Sequence, residues 1–232
     1  MPPLDALVVA PHPDDAELGM AGTILSMVAE GRRVGILELT SGEPTPLGSP
    51  EVRRRETAAA TSLLGIAWRG NLNLPNRSLE ATIDNRRRLA ESFRELQPSL
   101  IFAPYWEDAH PDHTSATKLV EDARFWAKLS KTDMAGSPFH PARILYYFSV
   151  HLRIVERPSV LIDISAYTAK KRQVLEAYTS QLVANQPAGQ PGVIDRVLER
   201  NRYWGIMAGV LSAEPFASRE PVGLRSLRDL AL

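Results

Sequence analysis

Cysteine is absent from this chain of 232 residues. Its absence excludes a disulfide framework, a thiolate zinc site, an iron–sulfur cluster and a cysteine nucleophile, so any metal must be held by histidine and carboxylate. Net charge is missing as well, because 27 Lys and Arg balance 27 Asp and Glu. With no basic excess to hold a phosphate backbone or an anionic membrane, nucleic acid and membrane are not expected partners. Long hydrophobic runs are also lacking. The opening segment Met-Pro-Pro-Leu-Asp-Ala-Leu-Val-Val-Ala has no basic leader and carries Asp5 inside its short apolar run. It reads neither as a signal peptide nor as a membrane span, and the expected location is the cytoplasm. Gly 14 and Pro 18 stay well under low-complexity levels. What is present is 44% hydrophobic content. That suffices for one globular domain over residues 1–232, burying roughly three-quarters of the surface its unfolded chain exposes.

Leu4 to Ala10 is a short apolar run ending at Pro11, which predicts a strand buried on both faces. Leu18, Ala21, Leu25 and Val28 follow helical spacing from Ala16 to Glu30, and Gly31 sits where a helix is capped. Val34 to Thr40 then predicts a second strand, giving β-α-β. Helices are expected at Val52 to Leu64, closed by Gly65, and at Asn85 to Leu96, before Pro98. Beyond them come a strand at Ser99 to Ala103, a helix from Thr114 to Leu129, strands at Arg143 to Ser149 and Ser159 to Ile164, and late helices at Ala166 to Leu182 and Ile194 to Gly209. This alternation predicts an α/β fold, a Rossmann-like, mostly parallel sheet flanked by helices. In such sheets ligands bind at the carboxyl ends of the strands, near the point where the strand order reverses. The irregular segments Ser41 to Pro50 and Tyr105 to His113 directly follow strands and are where chemistry is expected.

Histidine is scarce and unevenly placed. Of the five, three fall in two similar strings, Pro11-His12-Pro13-Asp14-Asp15 and His110-Pro111-Asp112-His113. If the strands before them are neighbours, the two loops meet and assemble three imidazoles with three carboxylates. Neutral imidazole with carboxylate oxygen suits a catalytic zinc, which takes three protein ligands and keeps a position open. The surplus matters, because metal-assisted hydrolysis also needs a general base and a donor toward the developing oxyanion. Pro13 and Pro111 hold the preceding histidines out of helical geometry. The alternative reading makes Asp14, Asp15 and Glu17 an acidic helix N-terminus and His12 a loop residue. Two matching strings at corresponding positions weigh against it. His140 and His151 have no such company and read as surface or structural residues.

The opening β-α-β, with Glu38 near the end of the second strand, imitates a dinucleotide-binding layout. Gly19-Met20-Ala21-Gly22, however, is not G-x-G-x-x-G and lies inside the predicted helix. The turn that would approach a pyrophosphate carries two aspartates, whose charge repels that ligand. Nucleotide cofactor binding is therefore not expected.

Pro11-His12-Pro13-Asp14-Asp15 with Glu17-Leu18-Gly19, followed by His110-Pro111-Asp112-His113, resembles the PIG-L (LmbE-like) family of zinc-dependent N-deacetylases. Within that family the chain looks most like the bacillithiol-pathway deacetylases acting on N-acetylglucosaminyl malate. Arg53-x-x-Glu56, Leu74-Pro75-Asn76, Tyr178-Thr179-Ser180-Gln181, Tyr203-Trp204-Gly205 and Glu214-Pro215-Phe216 extend the likeness over nearly the whole chain. The resemblance implies Zn2+ held by His12, Asp15 and His113, with Asp14 as the general base toward the activated water. It makes His110 the residue that stabilises the oxyanion or protonates the leaving amine. Asp112 becomes the orienting partner of His110 or of a ligand histidine. It further implies a small-molecule N-acetyl amino-sugar substrate and a homo-oligomer, hexamers being common among relatives.

Some positions depart from that pattern. Relatives commonly carry Arg before the second histidine string, where it can pair with malate carboxylates; here the residue is Ala109, which offers no bidentate partner. Asn76 stands where Asp is common. Arg53 reads either as a substrate contact or as part of a solvated helix face, and the family match favours the site. Trp106 is a candidate to stack on a sugar face, whereas Phe125 and Trp126 read as core, and Tyr203 and Trp204 as packing or subunit-contact residues. The charged segment from Ser218 reads as a loop and short helix. The expected activity is removal of acetyl from an N-acetylglucosaminyl conjugate. A metal-dependent hydratase on the same framework and a non-catalytic carbohydrate-binding protein are the alternatives.

Overall fold

The apolar runs read as buried strands form the middle of a seven-stranded sheet in the computed structural model, which describes residues 2–151, 157–184 and 189–223. In chain order the elements are β1 (Ala6–Ala10), α1 (Asp15–Ala29), β2 (Val34–Thr40), α2 (Pro50–Leu64), β3 (Trp68–Leu74), α3 (Ile83–Leu96), β4 (Leu100–Pro104), α4 (Pro111–Ala127), β5 (Arg143–Tyr147), β6 (Val160–Asp163), α5 (Thr168–Glu176), α6 (Val193–Ala208) and β7 (Ala213–Ala217). The strand order is β3-β2-β1-β4-β5-β7-β6. The first five strands are parallel, and β7 runs antiparallel to both β5 and β6. One face of the sheet buries Leu89 and Phe93 of α3 with Leu119 and Val120 of α4. The other buries Ile24, Leu64, Val174 and Val197 from α1, α2, α5 and α6. The mostly parallel α/β architecture is the expected one.

Chain direction across the sheet reverses between β1 and β4, which pair with Ala6 opposite Leu100. The two histidine strings leave the carboxyl ends of these neighbouring strands and so meet at the switch point. Local chemistry fixes where the flanking helices begin. Ser49 caps α2 by accepting from Val52 N at 3.3 Å, with Pro50 next, and Gly65 ends the helix at φ 67°. Thr82 caps α3 through Asn85 N. His110 itself caps α4: its Nδ1 accepts from Asp112 N at 3.2 Å and Pro111 opens the helix.

Helix α1 is interrupted at Met20, whose φ of −153° lies outside the helical region. The backbone N–H groups just beyond, Gly22 and Thr23, donate to the Glu214 carboxylate at 2.9 and 2.7 Å. Lys171 Nζ completes this buried junction at 2.6 Å from Glu214 Oε1 and 3.1 Å from Leu18 O. Gly22 is required here because a Cβ would come within 2.7 Å of Ile164. The glycines that imitated a nucleotide loop thus serve close packing.

Two strands escape the sequence pattern. β3, Trp-Arg-Gly-Asn-Leu-Asn-Leu, is a half-exposed edge strand with little apolar content, and β7 carries Pro215 and the buried Glu214. The helix expected over Ala166 to Leu182 is broken into a 3-10 turn at Ser165–Tyr167, α5, and a π-turn at Thr179–Val183. The break follows from tertiary bonds: Glu56 takes both Ser180 N and Ser180 Oγ, at 2.6 and 2.8 Å. Phe125, expected in the core, is 54% exposed, with Lys128 Nζ 4.2 Å from its ring centroid. Trp126 does pack against the core. The segment from Ser218 is irregular through residue 223, and its expected short helix lies outside the described residues. Among the described residues no helix is long and apolar enough to cross a membrane.

Candidate metal centre and active site

The loops after β1 and β4 open into a cavity of about 320 Å³ lined by His12, Asp14, Asp15, Arg53, His110 and His113, among others. Asp15, at the first turn of α1, is the hub. Its Oδ2 lies 3.0 Å from His12 Nδ1 and 3.3 Å from His113 Nε2, and it accepts from His12 N at 3.1 Å. Behind the rings stand two more carboxylates. His12 Nε2 lies 3.1 Å from Asp112 Oδ2, and His113 Nδ1 lies 3.0 Å from Asp108 Oδ2 and 3.1 Å from Ser149 Oγ.

These partners set the tautomers. With Nε2–H of His12 donating to Asp112 and Nδ1–H of His113 donating to Asp108, the remaining ring nitrogens present lone pairs toward a carboxylate oxygen. Such an array favours a proton or a metal ion between the groups. His113 Nε2 is buried with no hydrogen-bond partner, and the ligand atoms of His12, Asp15 and His113 lie within 4.8 Å of one another. Bond lengths near 2.0–2.2 Å in a tetrahedral shell put ligand atoms about 3.3 Å apart, which the contacts to Asp15 match. The residues therefore fit a small divalent metal. A second trio, His12, His110 and Asp112, has similar spacing. Its atoms are already engaged: Asp112 accepts from Arg77 N at 2.8 Å and Leu79 N at 3.2 Å as well as from His12, and His110 Nδ1 caps α4.

Charge in the trio responds accordingly. Burial opposes protonation of His113, yet the Asp15 and Asp108 carboxylates on either side raise it to about 10. Burial works against Asp15 ionisation too, but His113 and His12 hold its carboxyl well below the usual range. A proton or a metal ion is thus strongly favoured between these groups.

Asp14 occupies the left-handed region at φ 102°, a conformation rare for a non-glycine residue. The turn directs it away from the trio toward Arg53, whose Nη1 donates to Asp14 Oδ2 at 3.0 Å and to Pro13 O at 3.2 Å. Burial pushes the Asp14 carboxyl up to about 7, with Arg53 limiting the rise. Glu43 in turn lies 3.4 Å from Arg53 Nε. Because the Nδ1 of His110 is an acceptor, its ring proton resides on Nε2, and burial with the neighbouring His113 and His12 charges holds its pKa down.

The structure gathers seven of the eight residues singled out from sequence: His12, Asp14, Asp15, Arg53, His110, Asp112 and His113. The Asp112 carboxylate partners His12 of the trio rather than the His110 ring. Trp106 is the exception. It stacks on Tyr105, meets Tyr146 edge-on and lies under Arg219, and it does not line the cavity. Sequence reading also left His151 outside, whereas its ring lies 5.6 Å from that of His110 and 5.5 Å from that of His113. Ser149 carries no sequence signal because its partners His113 and Asp108 lie 36 and 41 residues away, and Asp108, five residues before His113, stands outside both histidine strings. The motif pieces do meet: Gln181 Nε2 donates to Ser180 Oγ, which bonds Glu56, and to Thr45 Oγ1, which bonds Glu43 beside Arg53 at the cavity. His140 is exposed.

Comparison with known proteins agrees with this geometry. Residues 7–124 match the PIG-L family model, described as GlcNAc-PI de-N-acetylase. A probable N-acetyl-alpha-D-glucosaminyl L-malate deacetylase 2 from Bacillus anthracis is 28% identical over 220 residues, covering 85% of this chain and 93% of the relative. A diacetylchitobiose deacetylase from Thermococcus kodakarensis is 27% identical over 189 residues, covering 75% and 69%. Among solved structures, the conserved protein TT1542 from Thermus thermophilus superposes with a TM-score of 0.88 at 42% identity, covering 95% of this chain and 97% of that one. With a similar fold and a family match spanning half its length, this chain belongs to the PIG-L family.

Proposed function

We propose that this protein is a zinc-dependent N-deacetylase that removes the acetyl group from an N-acetylglucosaminyl conjugate. The observation that carries the reading is the juxtaposition of a three-ligand trio, His12, Asp15 and His113, with a buried carboxylate, Asp14, that is turned away from the trio yet lines the same cavity. Deacetylases among its relatives support the amide chemistry and the amino-sugar class.

A divalent ion held by the trio supplies Lewis acidity, activating water and polarising the acetamide carbonyl. Asp14 takes the proton from the attacking water. Its carboxyl near 7 suits a base working near neutral pH, and Arg53 holds the carboxylate in place through the 3.0 Å bond. His110 donates from Nε2 to the carbonyl oxygen as negative charge develops there. Asp112 and Asp108 fix the orientation of His12 and His113 through their far nitrogens. The C–N bond then breaks, the proton held by Asp14 passes to the nitrogen, and acetate and a primary amine leave. Residues 1–232 act as one unit in this account.

The test follows amine and acetate together, using zinc-loaded protein with N-acetylglucosaminyl malate and with N-acetylglucosamine. Equimolar release of the two products from either substrate is the expected result. Conversion without amine, as in hydration of a double bond, would contradict the proposal, as would no turnover of any N-acetylated amino sugar.

A further inference from the structure

A second cavity of about 500 Å³ adjoins the catalytic one and shares Val150, His151 and Val193 with it. Its remaining lining residues, among those described, are Arg196, Val197 and Arg200. Together with Val193 they recur at helical spacing, so one face of α6 presents two guanidinium groups to this space. His151, on the boundary the two cavities share, has its ring within 5.6 Å of those of both His110 and His113. A substrate with its acetamide at the trio would therefore extend its other end toward the two arginines.

Among the described residues no carboxylate pairs with either guanidinium there. Arg53, Arg69, Arg86 and Arg124 each pair with a carboxylate, and Arg94 is bonded to backbone carbonyls. Arg200 is half-buried, and its one hydrogen bond among the described residues is a long one, Nη1 to Ser149 O at 3.5 Å. Burial lowers its pKa, and Asp108 is the group that opposes this. Asp108 is already engaged by His113, Ser149 and His110 N. Asp195, the acid beside Arg196, pairs with Arg172. Neither Arg196 nor Arg200 forms an ion pair among the described residues. A partly desolvated guanidinium without a counter-ion invites an anion, and the planar fork matches a carboxylate. Ala109 leaves the loop before His110 without a cation, and Arg77, which lines the catalytic cavity, is bonded to Pro44 O at 2.6 Å, so Arg196 and Arg200 are the cations of the adjoining cavity among the described residues.

We propose that Arg196 and Arg200 form a subsite for the carboxylate of an acidic aglycone, making the preferred substrate an N-acetylglucosaminyl conjugate of a carboxylic acid. The inference rests on the deacetylase reading above and names the part of the substrate that reading leaves open. A sugar phosphate offers similar charge, so the test separates the two.

Binding is measured by calorimetry on zinc-loaded Asp14→Asn protein, with N-acetylglucosaminyl malate, N-acetylglucosamine 1-phosphate and the uncharged methyl N-acetylglucosaminide. The expected preference for the malate conjugate over the methyl glycoside is about 10- to 100-fold, the range of one or two charge-assisted hydrogen bonds. Adding Arg196→Gln and Arg200→Gln together should bring that ratio close to one, while Arg200→Lys, which keeps the charge, should retain much of it. An unchanged ratio in the double variant, or equal weakening of both ligands, would overturn the subsite. So would a preference for the phosphate with none for the malate conjugate. Failure of the deacetylase reading is seen separately: a ratio that collapses in the variants, with no amine released by the wild-type enzyme, sustains the subsite and removes the activity. Amine release with no arginine-dependent preference does the reverse.

Discussion

Asp108 does more for the site than its place in an irregular loop suggests. It receives His113 Nδ1–H and, with Ser149, fixes which ring nitrogen faces Asp15. Removing such an outer partner typically weakens metal binding 10- to 100-fold. Asp108→Ala should therefore lower zinc affinity by about that factor in a competition titration with a chromophoric chelator, and unaltered affinity would show that His113 is held by packing alone. His12, Asp14, Asp15, His110 and His113 were legible as candidates because they fall in two similar histidine strings, each following a strand. Ser149 and His151 were not, since they reach the site only when the ends of β4 and β5 are placed side by side, and Asp108 was not, since no repeat of the histidine strings marks it. Trp106 misled for the converse reason: a large aromatic in a site loop found partners in Tyr105, Tyr146 and Arg219 instead.

Elements are held to one another here by buried polar junctions as much as by apolar contact. The break in α1 frees two N–H groups, Glu214 from β7 takes them, and Lys171 from α5 neutralises the charge at 0% exposure for both side chains. Glu214→Gln leaves a buried ammonium without its counter-ion and should cost about 3–5 kcal/mol, read from the urea midpoint at constant m. A loss below about 1 kcal/mol would mean that water or another group relieves Lys171. Periodicity found the central strands and most helix bodies, since burial on both faces writes an uninterrupted apolar run. It missed β3 and β7 because an edge strand needs few apolar residues and β7 is specified by this ion pair. It also overran α5, because the bonds from Glu56 to Ser180 override local helical preference.

On the scale of the whole molecule, the sheet order brings two loops a hundred residues apart to one switch point, so a metal held by the trio would tie the loops after β1 and β4 together. Zinc that binds the folded state alone adds about 2.7 kcal/mol at 100 times its Kd. For a chain of this size that corresponds to a thermal shift of roughly 5–10 °C. Chelation should lower Tm by about this amount in wild-type protein, and the shift should vanish in His113→Ala, which removes the buried orphan nitrogen. Equal shifts in the two proteins would place the metal elsewhere. Closure of the trio and exposure of the cavity thus share one geometric origin, the reversal between β1 and β4.

The account turns on Asp14 being the base and not a ligand. The most direct measurement compares Asp14→Asn with the wild-type protein for bound zinc and for amine release from N-acetylglucosaminyl malate in the same preparations. Full zinc occupancy with turnover reduced by about 10²–10⁴-fold is the predicted result. Zinc lost together with turnover would make Asp14 a ligand, and turnover retained would remove it from the chemistry.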